Sequence, residues 1–505
     1  MNHARGMSRP NLPRVLVVVL MVCGGAAFAD TGSEGDVATP GKADGSRVAQ
    51  ATRAACLPSI RDCAPWVAGA PIAAVDAPVP PPADAKQRGD ALLDDDLLSE
   101  KPAAPGLRGF YQFEGAYTLP SPSHWSKLKN RLEVGSQGQF SESVKWKVSA
   151  RADYDAIYSL SDFYPPQVRK DQRFEADFRE TYLDISAGNL EFRLGRQQIV
   201  WGEVVGLFFA DVVSAKDLRE FILPDFDLLR IPQWASRAEY FMGDTHFEAI
   251  WIPVPTVDNI GKPGSAFYAY PPAGPAGYGY FINNELKPKH NSTNQNFGVR
   301  VSTLVSGWDG ALFAYRSVDT SPTYLRSIVN APNPTFVYTP VHEKVTQYGA
   351  TIAKDLGDLV IKGEAVYAVG REFNVSRLSD ADGVVGQRYL DYIASFEFGL
   401  PDDARLNFQL YQRYFTKHDP DIVPRRTESG ASLYLSGKWG RFSPQILAIH
   451  SLNRNDWMVR PKVVWNFDKN WRAAAGFDYF GGKPNGLFGQ FDRQDRAYME
   501  VRRSF

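Results

Sequence analysis

The sequence predicts an all-β fold: a transmembrane antiparallel β-barrel of about eighteen strands, with sixteen as the alternative count. Three observations predict it. Apolar and polar side chains alternate with period two through most of the chain after residue 106. The alternating runs reach ten or more residues, longer than the about five or six of an ordinary strand. A tilted strand needs about 9–11 to cross a bilayer. The connections then alternate between short and long, the pattern of tight periplasmic turns and long external loops. Spanning demands closure, because an open sheet edge in lipid leaves backbone groups unpaired.

Composition agrees and excludes other classes. The 505 residues carry 56 basic and 57 acidic side chains, so nothing points to a nucleic-acid partner. Three cysteines exclude a disulfide-dense scaffold, and 44% apolar content excludes wholesale disorder. After the N-terminus no run reaches the roughly 18 apolar residues of a spanning helix. Yet 13% of the chain is aromatic. Alternation explains both facts, because it spreads apolar residues one in two.

The elements follow in order. Residues 1–29 read as a secretory signal: Arg5, Arg9 and Arg14, then the apolar Val15–Val22, then Ala27-Phe28-Ala29 as the cleavage site. Residues 30–105 are rich in Ala and Pro and form a periplasmic segment without a core. In an oxidising compartment Cys56 and Cys63 read as a small loop disulfide, with two free thiols as the alternative. The barrel occupies 106–505. Candidate strands lie near 107–118, 130–140, 143–156, 173–186, 189–199, 234–242, 245–252, 294–304, 309–317, 345–354, 359–370, 389–400, 404–416, 428–437, 441–452, 457–467, 470–480 and 494–505. Val144, Trp146 and Val148 alternating with Lys145, Lys147 and Ser149 typify the pattern. Trp308, Trp439 and Trp471 lie by short turns, and Trp251 and Trp457 by long loops, as two interfacial girdles would. Ala497, Met499, Val501 and Phe505 share one face, with Arg503 departing from it. The final Phe505 resembles the signal read by the bacterial barrel-assembly machinery, which makes that machinery and outer-membrane lipid expected partners.

Inward positions carry charges of both signs, with Arg405, Arg413, Arg460, Lys462 and Arg472 concentrated in C-terminal strands. Read together, those five form either a basic ladder along the lumen or one side of wall salt bridges. Selectivity is weak and leans anionic. Loop 253–293 holds Phe267, Tyr268, Tyr270, Tyr278, Tyr280 and Phe281, an aromatic external vestibule or loop–loop packing.

One loop is unlike the rest. After Gly195-Arg196-Gln197 and Trp201-Gly202-Glu203 the period of two is lost, and Ala215, Leu218, Phe221 and Ile222 take helical spacing. Ser214 reads as the cap of that helix and Pro224 as its end. This is the third long loop, so residues 203–232 are expected to fold into the barrel. Asp211, Lys216, Asp217, Arg219 and Glu220 would then form a constriction or plug against the wall, with an external lid as the alternative.

The strings LGRQQIVWGE and DVVSAKDLREF within 194–221 resemble a family of uncharacterised proteobacterial outer-membrane proteins that read GRQ–WGE and then DVVNPQDLRE. Ser214-Ala215-Lys216 stands where that family has Asn-Pro-Gln. The resemblance implies a porin-like barrel in a Gram-negative outer membrane, working near a periplasmic lipoprotein-sorting-like carrier and an efflux-type pump. It thereby implies traffic of hydrophobic molecules.

Two function classes follow. The first is an outer-membrane pore or channel passing small solutes, hydrophobic ones among them, gated or narrowed by 203–232. The second is a docking component of a lipid or hydrophobe trafficking system. An enzyme would need a nucleophile and base in reach. His124, His246, His290, His342, His418 and His450 fall in no such motif. No catalytic residue, metal site or cofactor is assigned.

Overall fold

The computed structural model describes residues 106–505 apart from 203, 205–208, 269–278 and 331–333. The signal segment, the Pro-rich segment with Cys56 and Cys63, and also Glu203, Tyr270 and Tyr278 lie outside the described residues.

Eighteen strands form one closed antiparallel barrel. They are β1 (Arg108–Thr118), β2 (His124–Ser141), β3 (Val144–Asp155), β4 (Phe174–Ala187), β5 (Leu190–Gln197), β6 (Gln233–Met242), β7 (Thr245–Val254), β8 (Asn296–Val305) and β9 (Trp308–Val318). The second half comprises β10 (Lys344–Asp355), β11 (Leu359–Asn374), β12 (Val384–Leu400), β13 (Ala404–Lys417), β14 (Thr427–Ser436), β15 (Phe442–Ser451), β16 (Asp456–Asn466), β17 (Trp471–Gly481) and β18 (Arg496–Ser504). Each expected strand is present. Each pairs with the next, and β1 closes on β18 from Phe110↔Ser504 to Thr118↔Arg496. Gly109 and Phe505 extend that seam by exchanging N–H···O bonds of 2.9 Å in both directions. Closure satisfies the backbone of both strands that would otherwise be edges.

Alternation sorts the two faces. Phe247, Trp251, Phe297, Val299, Leu312 and Tyr348 point outward and are exposed, while Glu248, Ile250, Phe313 and Tyr315 point inward and are buried. Among the described residues no helix is long and apolar enough to cross a membrane. The five tryptophans expected at the borders are all exposed on the outer face. Arg503 is no flaw in that face. It lies outward over the Trp471 ring, 5.5 Å from its centroid, where a cation at an aromatic border is stabilised.

The turns at one end are tight. Gly188 and Gly243 sit at φ 61° and 57°, and two-residue hairpin turns require such left-handed residues. One strand boundary differs from expectation. β2 begins at His124 rather than near 130, and Lys127, Lys129 and Arg131 face inward where the sequence showed no apolar partner pattern. Short strands that are not part of the wall add two small sheets, one of Gly279–Ile282, Thr323–Asn330 and Pro334–Val341, the other of Ala215–Lys216 and Arg230–Ile231.

Candidate functional site: the third loop inside the barrel

The described residues of 198–232 leave β5, run across the space enclosed by the wall, and return at β6. The first leg is set by Gly195, at φ 131°, where an added Cβ would lie 2.3 Å from the Thr181 carbonyl oxygen. Only glycine lets β4 and β5 stay paired there. Arg196 pairs with Asp177 at 3.1 Å. Gln197, fully buried, donates to the Arg193 and Ala235 carbonyls at 3.1 and 3.0 Å. Trp201 is 1% exposed and donates from Nε1 to Glu248 at 3.1 Å. Its ring packs with Ile199, Val213, Ile250, Phe313 and Tyr315 in an apolar cluster inside the wall of β6–β11. At Gly202 a Cβ would sit 2.9 Å from the Asp211 amide nitrogen. Thus the GRQ–WG string works as an anchor for the loop's entry and exit.

On β11, Glu364 is 4% exposed and accepts from the Val204 and Ala210 amides at 2.7 and 3.0 Å. Asp211 accepts from Arg230 Nε at 3.0 Å, joining the outgoing and returning legs. Lys216 points back along its own leg and donates to the Asp211 and Ser214 carbonyls at 3.2 and 3.0 Å.

The helix expected over 214–222 is absent. Ser214 Oγ donates to the Ile199 carbonyl at 2.9 Å instead of capping. Ala215–Lys216 pairs with Arg230–Ile231, and the Asp217 amide donates to Leu229 O at 2.7 Å. Phe221 takes φ 55°, which no α-helix accommodates. Helical spacing of the apolar residues arose because Ala215 is buried in the hairpin while Phe221 and Ile222 pack, half-buried, against a separate apolar cluster. The only helix of this loop among the described residues is the four-residue turn Phe226–Leu229, after Pro224.

The tip reaches a different stretch of wall. Asp217 accepts from Arg219 Nε at 2.8 Å, and Arg219 also pairs with Glu175 on β4. Glu220 pairs with Lys129 of β2 at 2.6 Å, with Lys127, and with Arg496 of β18 at 3.4 Å. Burial raises the Glu220 carboxyl, but these cations outweigh it and hold the group well below its ordinary range. Burial likewise opposes, and Arg219 overcomes, the ionisation of Asp217, which falls to about 2. Asp225 meets Lys462 at 3.5 Å and Arg472 at 3.9 Å. Arg460, Arg179 and Arg151 donate to the carbonyls of Leu223, Asp227 and Leu228. Phe221 and Leu223 join Phe267, Phe480, Phe488 and Phe491 in a second apolar cluster against β15–β17.

The C-terminal cations form no continuous ladder. Arg405 and Arg413 belong to β13, and β14 and β15 separate them from Arg460, Lys462 and Arg472 on β16 and β17. Each has a carboxylate: Arg413 with Asp391 at 2.6 Å, Arg460 with Asp478 at 2.7 Å, and Arg405 with Glu397 at 3.8 Å. The aromatic loop is divided too. Phe267 is buried in the lumen, Tyr268 shares a 3.2 Å hydrogen bond with Tyr324, and Tyr280 and Phe281 are exposed.

Sequence reasoning missed Lys127, Lys129, Glu248, Asp225 and Arg496. The odd-numbered run Lys127, Lys129, Arg131 carried a period-two signal for the first two. Nothing local marked the others.

A family model described as a protein of unknown function, DUF1302, matches residues 122–505. The chain belongs to the DUF1302 family. No curated protein matches the sequence. Among solved structures, this DUF1302 barrel is similar to OccK2 (OpdF) of Pseudomonas aeruginosa in complex with glucuronate. The identity is 9%, the TM-score 0.47, and the match covers 81% of this chain and 99% of that one. The channel DcaP of Acinetobacter baumannii aligns at 11% identity and TM-score 0.39, over 81% and 99% of the two chains. OmpT of Vibrio cholerae aligns at 11% and 0.39, over 81% and 100%.

Proposed function

We propose that this DUF1302 barrel is an outer-membrane pore for small solutes, narrowed by its third loop and delivered to the envelope by residues 1–29. A barrel of sixteen to eighteen strands leaves an aqueous channel unless something fills it. The apolar outer face suits lipid, and the polar inner face suits water and solute. The observation that carries the reading is the span of one loop between two walls: Glu364 on β11 holds its first leg, and Lys127, Lys129 and Arg496 on β2 and β18 hold its tip. Aromatic side chains of the second cluster bury one side of the tip and hold it against β15–β17, which supports a fixed narrowing.

Deleting 205–230 is the test. Single-channel conductance in a planar bilayer is expected to rise severalfold over the intact chain. Unchanged conductance would remove the loop from the pore. Liposome swelling in sugar solutions discriminates the remaining reading, a docking station for a periplasmic carrier. Swelling by the deletion variant but not by the intact protein would favour that second reading, since the lumen would then be occupied at rest.

A further inference from the structure

The outer wall bears a hollow of about 730 Å³ over β5–β10. Its floor follows from the register. One cross-strand row reads Phe192, Ala238, Ala249, Val299, Ala314, Tyr348, each paired with the next. Three alanines and a valine thus lie between two aromatic ridges. The row on the turn side is bulky, with Phe247, Val301 and Leu312 in register. On the loop side stand Trp251 and Phe297, and beside Phe297 is Arg316.

Arg316 and Lys344 share that outer face at the loop end, on β9 and β10. Arg316 pairs in register with Thr346, two residues from Lys344. Arg316 donates to Thr346 Oγ1 at 3.3 Å, and Lys344 donates to the Gln295 carbonyl at 3.1 Å. Trp251 Nε1 donates to the Gln295 side chain at 3.2 Å, which fixes its ring over the hollow's upper edge. Neither cation pairs with a carboxylate among the described residues. Two cations above an apolar trough, on a wall otherwise built for hydrocarbon, complement a phosphate above an acyl chain.

We propose that this hollow binds one phosphorylated glycolipid of the outer leaflet, with an acyl chain along Ala249 and Ala314 and a phosphate on Arg316 and Lys344. The proposal rests on the outer-membrane placement above, since it needs the loop end to face the outer leaflet. A second copy of the chain is the competing occupant, but it would have to bury both cations against this apolar face.

The test uses the full barrel in detergent, titrated with lipid A or with phosphatidylglycerol and read by native mass spectrometry. Ala314→Trp fills the hollow, and Arg316→Glu with Lys344→Glu reverses its charge. Heat-dependent electrophoretic mobility reports that each variant still closes. Wild type is expected to retain one lipid A at least tenfold more tightly than either variant, and at least tenfold more tightly than phosphatidylglycerol. Equal lipid A binding in wild type and both variants would overturn the proposal. So would equal binding of the two lipids, or a change from oligomer to monomer in Ala314→Trp. Conductance of these variants is expected to match wild type. A barrel that retained lipid but conducted nothing would defeat the pore reading alone.

Discussion

Glu220 concentrates the electrostatics of the lumen in one carboxylate. Lys127, Lys129 and Arg496 reach it from two strands. Neutralising it leaves those cations buried with fewer partners, which costs about 3–5 kcal/mol when a buried pair is broken. Glu220→Gln is expected to lower the urea midpoint and to add flicker to single-channel records, while Glu220→Asp retains most of both. The pH dependence separates two further carboxyls. Asp217, lowered to about 2 by Arg219 against burial, binds fewer protons folded than unfolded. Its contribution is therefore present above its ordinary range near 3.8 and lost only as pH falls toward 2. Asp495, raised to about 6 by burial, does the reverse. The folded state binds the extra proton, so stability declines as pH rises from near 4 to 6. Asp495→Asn is expected to abolish that decline in urea midpoints measured across this interval. A decline of equal size in the variant would assign it elsewhere.

At the scale of elements, strands were legible and the loop was half legible. Period two survives in any strand with one apolar face, which is why β3, β12 and β16 stood out. β2 was cut short because its first residues carry lysines inward and few apolar residues outward. The charged stretch 211–220 did mark an unusual loop, yet its shape was misread. Phe221 and Ile222, half-buried against the second cluster, and Ala215, buried in the hairpin, together imitate a helical stripe. Partner choice was beyond sequence altogether: Glu220 and Arg496 are 276 residues apart, and no local spacing reports such a pair. Gly195 offers a sharp check on the anchor. Its φ of 131° and the close Thr181 carbonyl mean that Gly195→Val strains the backbone by about 1–3 kcal/mol and parts β4 from β5. The heat-shifted folded band on a gel is expected to weaken strongly in this variant, whereas Gly188→Asn at a tolerant turn leaves it intact.

For the whole molecule, near-neutral charge coexists with many paired charges inside the lumen, so chain-level balance conceals dense local fields. Phe209 meets Tyr411 of β13 in a tilted contact, with ring centroids 5.7 Å apart, and Trp201 is locked against the wall of β6–β11. Trp201→Ala is expected to release the first leg and widen the distribution of conductance states, with a loss of about 3–5 kcal/mol from core truncation. Thermal unfolding followed by near-ultraviolet circular dichroism checks the stability part. The seam between β1 and β18 has a further consequence. It joins residues nearly four hundred positions apart, and until it forms both rims of the sheet are bare. A chain that stops before β18 therefore offers lipid two rows of unmatched amides and carbonyls. The lock thus inspects the length of its own key: only a polypeptide that carries its last strand can close the sheet without two bare rims.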